Sequence, residues 1–167
     1  MRVLGFVLLV WVATACVRQS PQLPANKATA ADSAGYAMQR ANERLVTGED
    51  SVLMAYVLSS GLNLSRDASG LWMHVETKTS GPLLHDLETC SIHYRIFSLS
   101  NELLYEKTET ITLGKKQVIS GIEIALRSMR KNEQAQLLVP WYLAYGLQGN
   151  GNRIPPYTSL RIELKRL

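Results

Sequence analysis

The residues best suited to form a binding site lie in a glycine-rich stretch from Val139 to Pro156, which also carries Trp141, Tyr142 and Tyr145. Glycine-rich loops usually hold few large side chains, so these aromatic residues predict a loop that packs against the domain and lines a site. The stretch contains half of the chain's six prolines. The alternation of apolar and polar residues from Ser159 to Leu164 predicts a strand directly after it.

Other residue groups give weaker chemical signals. His85, Cys90 and His93 are close in sequence, but they lack a fourth partner and a recognised metal-ligand spacing. Cys90 beside a histidine could suggest a thiol nucleophile, yet nothing in the sequence activates it. Gly146 to Gly151 has the wrong glycine order for a dinucleotide loop, and prolines follow it instead of a helix. We therefore expect no metal and no cofactor.

The charge pattern argues against a nucleic-acid partner. The formal net charge is +4, and the basic residues occur as pairs and single positions without a long basic run. With 46% hydrophobic and 19% charged residues, 167 residues are typical of one globular domain with appendages.

The N-terminus has the features of an export signal. A positive start at Met1 and Arg2 precedes an apolar run from Val3 to Val12. That run is much shorter than the roughly 20 residues that a membrane-spanning helix needs. We expect residues 1–15 to be a signal peptide.

Cys16 follows Ala13-Thr14-Ala15, which resembles a bacterial lipobox, in which the cysteine is acylated. Simple secretion is the alternative. An acylated Cys16 leaves Cys90 without a disulfide partner, whereas the two could oxidise in an unlipidated exported chain.

Two regions separate the signal from the main domain. Residues 16–31 have two prolines and no apolar period, and they predict a flexible tether behind the lipidated cysteine. Residues 32–62 predict a helical extension of two short helices, interrupted at Gly48 and ended by Gly61. Neither helix is apolar enough to fold alone, so the extension must dock on the later domain or on a second copy of the chain. Homodimerisation through residues 32–62 and a packed appendage are both open.

The remaining chain predicts an α+β fold. Strand-like alternation covers Leu71–Glu76 and Thr89–Phe97, and polar residues 106–109 suggest a bulge or loop between further strand segments. One amphipathic helix follows from Val118, and Gln134–Val139 predicts the strand that enters the glycine-rich stretch. This order favours an antiparallel sheet folded over one helix.

These segments carry a family resemblance. The motifs occur in order over residues 71–167, and together they resemble FKBP-type peptidyl-prolyl isomerases: Leu113–Gly121, Ala125–Lys131, Val139-Pro140, Leu143–Gly146 and Ile154–Pro156 with Leu160. The resemblance implies an FKBP-like antiparallel sheet wrapped around the helix. The signal, tether and short helices before it are similar to exported, lipid-anchored members from Bacteroidetes, including those linked to gliding motility.

The resemblance also implies roles for individual residues. Tyr94, the backbone N–H of Ile119 and the hydroxyl of Tyr145 are the expected catalytic groups. The expected apolar and substrate-binding contacts are Val118, Ile122, Leu104, Tyr105, Ile154 and Ile162.

Several positions depart from the family pattern. Leu103-Leu104-Tyr105-Glu106 stands where active members have Phe-Asp, so the pocket aspartate is missing unless Glu106 replaces it. Ile122 and Ile162 stand where family members have aromatic residues, and Glu109-Thr110 replaces another aromatic. These changes make the cleft less aromatic and favour weak or absent activity.

Two functions follow from the resemblance. One is a prolyl isomerase that assists exported, proline-containing polypeptides, anchored by its N-terminal lipid to the outer membrane and facing the periplasm. The alternative is a catalytically weak or inactive chaperone or assembly module of a surface or motility apparatus.

Overall fold

The computed structural model describes the backbone of residues 25–167 and the side chains of residues 33–167. The predicted signal peptide and Cys16 lie outside this range. The elements, in chain order, are α1 (Ala25–Ser60), β1 (Ser65–Arg66), β2 (Trp72–Thr77), β3 (Thr89–Phe97), β4 (Leu103–Thr112), α2 (Ser120–Ser128), β5 (Gln134–Val139), a 3₁₀ turn (Trp141–Leu143) and β6 (Leu160–Arg166). Within the described residues, no helix combines the length and apolarity that crossing a bilayer requires.

The strands form one six-stranded antiparallel sheet in the order β1-β2-β5-β6-β3-β4. Alternation along β3 turns Cys90, Ile92, Tyr94 and Ile96 to one face, where they are buried. Helix α2 packs on that same face through Ile122, Leu126 and other apolar residues. The predicted α+β fold, a sheet around one amphipathic helix, is confirmed.

Helix α1 corrects two predictions. It continues through Gly48, where two helices were expected, because an interior glycine costs a helix only about 1 kcal/mol and does not stop it. The helix ends before Gly61, whose φ of 68° is the left-handed conformation of a C-terminal cap. It also begins at Ala25, so residues 25–31 are helical where a tether was predicted. Four alanines in that segment supply high helix propensity.

Residues 43–167 form one compact unit that includes the C-terminal part of α1. Leu53 on α1 is fully buried against Trp72 and Leu138, which are cross-strand neighbours on β2 and β5. Two polar contacts flank this cluster: Arg66 pairs with Asp50 at 2.7 Å, and the hydroxyl of Ser159 donates to Glu49. The C-terminal part of α1 is therefore docked on the domain. Residues up to Asn42 belong to a separate unit, whose described part is helical and exposed from Ser33 onward.

Strand β4 is longer than predicted. Residues 106–109 were interpreted as a bulge or loop, but they belong to β4, which pairs with β3 in unbroken register from Tyr105 to Thr112. The register shift lies instead near Phe97. The polar residues do not break the strand because they alternate between its two faces, with Glu106 on the outer face and Lys107 and Glu109 on the α2 side.

Candidate functional site

A cleft of about 400 Å³ opens between β3, β4, the start of α2 and the loop that follows β5. Its apolar wall and floor are formed by Ile96, Val118, Ile119 and Ile122, and its polar lining by Tyr94, Lys107, Glu109, Lys116, Gln117 and Tyr145. A concave site that combines apolar surface with convergent polar groups is a candidate ligand pocket.

A carboxylate bridges two polar side chains in the wall of the cleft. The Tyr94 hydroxyl donates to Oε1 of Glu109 over 2.7 Å, and the Lys107 ammonium donates to Oε2 over 2.6 Å. Burial alone would raise the pKa of Glu109, but the hydrogen bonds from Lys107 and Tyr94 outweigh it and lower the pKa below its ordinary value. Burial and the bond to Glu109 raise the pKa of Tyr94. Glu109 is therefore ionised and Tyr94 protonated at neutral pH.

The loop before α2 carries the rim of the cleft. The side-chain oxygen of Gln117 accepts the N–H of Thr112 at 2.7 Å, and the carboxylate of Glu123 accepts the N–H of Lys116 at 2.8 Å. Glu123 is buried on α2. These two bonds hold the backbone that presents Ile119. No described residue accepts a hydrogen bond from the Ile119 N–H, which leaves it available to a ligand.

The aromatic loop after β5 is held by its own backbone and by Asn150. Gly146 N–H donates to the carbonyl of Trp141, which closes the turn just after Tyr145. Asn150 accepts the N–H of Ile154 at 2.9 Å and donates to the hydroxyl of Tyr105 at 2.7 Å. The predicted packed, ordered loop is confirmed.

Tyr145 brings a hydroxyl to the cleft from this loop. No hydrogen bond joins that hydroxyl to another residue in the described part of the chain. Burial, together with the neighbouring Tyr105 and Glu109, raises the pKa of Tyr145. The hydroxyl keeps its proton at neutral pH, so it is a donor that a ligand carbonyl could use.

The structure brings five predicted site residues together. Tyr94, Val118, Ile119, Ile122 and Tyr145 all line the cleft. The other four lie outside its lining: Leu104, Ile154 and Ile162 are buried in the main core, and Tyr105 is half-buried against the same core with its hydroxyl bonded to Asn150.

Glu106, the possible replacement for the missing pocket aspartate, does not line the cleft. Glu106 is turned to the outer face of the sheet, with its carboxylate 3.4 Å from Nε2 of His93. Glu109 provides the carboxylate in the cleft. Glu109 was expected only as the replacement of an aromatic residue, and Lys107 was not assigned to the site, because residues 106–109 suggested a bulge or loop. Continuing the strand alternation back from buried Ile111 would have placed both on the inner face.

A second cavity, of about 510 Å³, lies on the outer face of the sheet and fits a proline less well. Its lining is mainly charged or amide side chains, among them Glu76, His93, Arg95 and Lys165. It lacks the isoleucine and valine walls that a proline ring needs. The alternation of β3 also separates Cys90, buried in the core, from His93 on this face. Within residues 33–167, no cluster of three metal-ligating side chains occurs.

The chain is similar to known proteins over the same region. Residues 82–165 match the model of the family described as FKBP-type peptidyl-prolyl cis-trans isomerase. The chain is 31% identical to a macrophage infectivity potentiator of Trypanosoma cruzi over 118 residues, covering 66% of this chain and 54% of the relative. It is 27% identical to the FKBP-type isomerase FkpA of Buchnera aphidicola, covering 77% of this chain and 53% of the relative.

A solved structure supports the same assignment. The N-terminal domain of FKBP42 from Arabidopsis thaliana superimposes with a TM-score of 0.57 and 25% identity, covering 63% of this chain and 90% of that domain. The chain spans about half the length of the two curated relatives. The family match extends from just after β2 into β6 and includes every element around the cleft. The chain therefore belongs to the FKBP-type peptidyl-prolyl cis-trans isomerase family.

Proposed function

We propose that this protein is a peptidyl-prolyl cis-trans isomerase that binds X-Pro segments in the cleft between β3, β4 and α2. The observation that carries the proposal is the combination of an apolar floor with two unoccupied donors, the Ile119 N–H and the Tyr145 hydroxyl. The floor suits the proline ring, and the donors suit the carbonyl oxygens on either side of it.

The reaction needs positioning more than covalent chemistry. Resonance in the planar amide sets a barrier of about 18–20 kcal/mol, so an unaided X-Pro bond takes tens to hundreds of seconds to isomerise. The twisted amide has less charge separation than the planar one, and an apolar cleft therefore favours it. Donors aligned with the carbonyls of the twisted state lower the barrier further.

Each polar group has a distinct part in this mechanism. The Ile119 N–H and the Tyr145 hydroxyl bind carbonyl oxygens of the substrate. Tyr94 forms the opposite wall. Glu109 holds the Tyr94 ring in place by accepting a hydrogen bond from its hydroxyl. Glu109 acts through Tyr94 and is a positioning residue. Proton transfer is not part of the reaction.

The test is a protease-coupled assay on proline tetrapeptides, comparing the unmodified chain with Tyr145→Phe and Tyr94→Ala. Losing one hydrogen bond of about 0.5–1.5 kcal/mol lowers kcat/KM by about two- to tenfold in Tyr145→Phe. Tyr36→Phe, which changes an exposed tyrosine on α1, is the control and should keep the full rate. A purified chain with no rate above background would reject the isomerase.

A non-catalytic binding module is the second candidate, and the composition of the cleft favours it. Ile122 occupies the floor and a charged pair, Lys107–Glu109, occupies one wall, so the cleft offers less aromatic surface to a proline ring. In this role the protein would bind proline-containing segments as a chaperone or as an assembly factor of a surface or motility apparatus. Suppression of aggregation of an unfolded client, without isomerase activity, would identify it.

The proposal extends to location and clients. The export signal and the cysteine at position 16 support a protein lipidated on Cys16, held at the outer membrane, facing the periplasm, and acting on exported polypeptides. Its similarity to lipid-anchored Bacteroidetes members, including gliding-motility proteins, rests on the N-terminal pattern. Mass spectrometry of the mature N-terminus tests this directly, because an unacylated N-terminus would reject the lipid anchor.

Homodimerisation through residues 32–62 is also part of the proposal. Exposed Tyr36, Met38 and Leu45 on α1 support it, because large apolar side chains on a helix surface commonly mark an interface. Sedimentation of the chain and of Met38→Glu over a range of concentrations tests it. A monomer at all concentrations would reject the dimer.

A further inference from the structure

The unoccupied polar atoms of the cleft are mainly hydrogen-bond donors. The Ile119 N–H and the Tyr145 hydroxyl have no partner among the described residues. The amide oxygen of Gln117 already accepts the N–H of Thr112, so the part of Gln117 left for a ligand is its NH₂ group. A ligand that complements this set must supply acceptors.

The single carboxylate in the lining, Glu109, does not offset the excess of hydrogen-bond donors. Oε1 of Glu109 is occupied by the Tyr94 hydroxyl, and Oε2 by the Lys107 ammonium. An ammonium has three donors and Glu109 uses one of them, so Lys107 keeps donors for a ligand. Its side chain is 58% exposed, which leaves the ammonium accessible from the cleft mouth.

Lys116 adds a second cation at the rim. It lines the cleft, its side chain is exposed, and no described carboxylate forms an ion pair with it. The ten lining residues therefore hold two lysines against one carboxylate, a surplus of one positive charge. The other acidic residue near the loop, Glu123, is buried, is not part of the cleft lining, and accepts the N–H of Lys116.

We propose that the cleft selects X-Pro segments in which an acidic residue, aspartate or glutamate, immediately precedes the proline. This preference rests on the proposed isomerase function. With the proline ring on the floor formed by Ile122, the preceding residue lies at the rim. A carboxylate there meets the ammonium groups of Lys107 and Lys116, which an apolar side chain cannot pair with.

The test compares tetrapeptides that differ only in the residue before proline, using Glu and its uncharged isostere Gln. The whole chain should turn over the Glu-Pro peptide with a kcat/KM about three- to tenfold higher, since two partly exposed ion pairs contribute on the order of 1 kcal/mol together. In about 0.5 M salt the ratio should fall toward one, because salt screens exposed charges. A Lys-Pro peptide should be the poorest substrate.

Two lysines of the same loop give a matched comparison. Lys116→Met should lower the ratio of Glu-Pro to Gln-Pro rates by about two- to threefold. Lys115→Met removes the same charge one position away, outside the cleft lining, and should leave the ratio unchanged. An equal effect in both variants would show a long-range field and overturn the assignment to the cleft.

Failure of this preference is distinguishable from failure of the isomerase. Turnover of both peptides at equal rates would overturn the acidic preference and leave the isomerase intact. If no peptide is turned over, the isomerase is rejected, and the dissociation constants of the Glu-Pro and Gln-Pro peptides, measured by NMR titration, decide the preference. Equal dissociation constants for the two peptides overturn the acidic preference. Tighter binding of the Glu-Pro peptide that weakens in Lys116→Met supports the preference.

Discussion

Tyr94 and Glu109 form a diagonal contact across two neighbouring strands of the sheet. Tyr94 is directly opposite Lys107 and Glu109 directly opposite Ile92, yet the Tyr94 hydroxyl reaches Oε1 of Glu109 at 2.7 Å. Diagonal neighbours on one face of an antiparallel pair lie about 7–8 Å apart at the backbone, which long side chains bridge. The contact fixes the hydroxyl end of an aromatic ring that forms one wall of the cleft.

Replacing Glu109 tests whether this contact supports activity. Glu109→Gln keeps the shape but removes the charge that binds Lys107 and strengthens the bond from Tyr94. Weakening one charge-assisted hydrogen bond by about 1 kcal/mol should lower kcat/KM on an uncharged X-Pro peptide about fivefold.

Glu106→Gln is the matched control, since Glu106 lies on the same strand and faces the other side of the sheet. It should keep the full rate. Equal rates in both variants would show that the cleft carboxylate has no part in the reaction. Thermal unfolding of each variant separates a lost contact from a lost fold.

The pH dependence of activity should be one-sided. Lys107 and Tyr94 keep the pKa of Glu109 below its ordinary value of 4.5, and burial raises the pKa values of Tyr94 and Tyr145. The protonation state of the cleft is therefore constant between about pH 5 and 8, and kcat/KM should be flat there.

Below that pH range, the lowered pKa of Glu109 determines the direction in which activity changes. Its ionised form stabilises the folded cleft above the unfolded-state pKa, and this contribution is lost as the pH falls through the folded-state pKa. Activity should decline only below about pH 4.5. Glu109→Gln should lack this decline, measured while circular dichroism shows the fold intact. An identical acid limb in the variant would assign it to another carboxylate, for example Glu133, whose pKa is also lowered.

The sequence predicted the elements whose pattern is strong and local. The alternation of β3 and the spacing of Ile122, Leu126 and Met129 reflect burial on one face, and both elements occur as expected. Residues 106–109 were misjudged because polarity normally marks a loop. On an edge strand beside an open cleft, both faces of the strand can remain polar without breaking the backbone ladder.

The site was partly predictable for a similar reason. Ile119 and Tyr145 lie in the motifs that carry the family resemblance, Tyr94 lies in the strand predicted from alternation, and all three line the cleft. The role of Glu109 depends on which carboxylate shares a face with Tyr94, and a shift of one residue in register reverses that face. Alternation back from Ile111 distinguishes Glu109 from Glu106 only if residues 106–109 are strand, and the pairing with β3 shows that they are.

Gly121, the residue before Ile122 on α2, should not tolerate a side chain. A Cβ at this position would lie 2.5 Å from Cγ1 and 3.1 Å from Cγ2 of Val139, a buried residue of β5. Gly121→Ala forces α2 away from the sheet and should cost about 1–3 kcal/mol of unfolding free energy. Because Ile122 forms the cleft floor, activity should fall as well.

Gly48→Ala is the control, with a helical glycine and no atom within 4 Å of the added Cβ. It should stabilise the chain by up to about 1 kcal/mol through helix propensity. Urea unfolding measures both variants. A Gly121→Ala chain as stable as the unmodified one would mean that Val139 moves aside freely and that α2 is not tightly packed on β5.

Docking of α1 on the domain is tested by truncating its buried anchor. Leu53 is fully buried against Trp72 and Leu138, so Leu53→Ala leaves a cavity in this second cluster. Such a loss costs about 2–5 kcal/mol.

Leu58→Ala is the control, because it removes the same atoms from the same helix where the residue is 79% exposed. The change in unfolding free energy should stay within about 0.5 kcal/mol. Urea unfolding at two protein concentrations gives both values. Equal, small effects would show that the C-terminal part of α1 is free of the domain in solution. A loss in Leu53→Ala that is the same at both concentrations would assign the contact to packing within one chain.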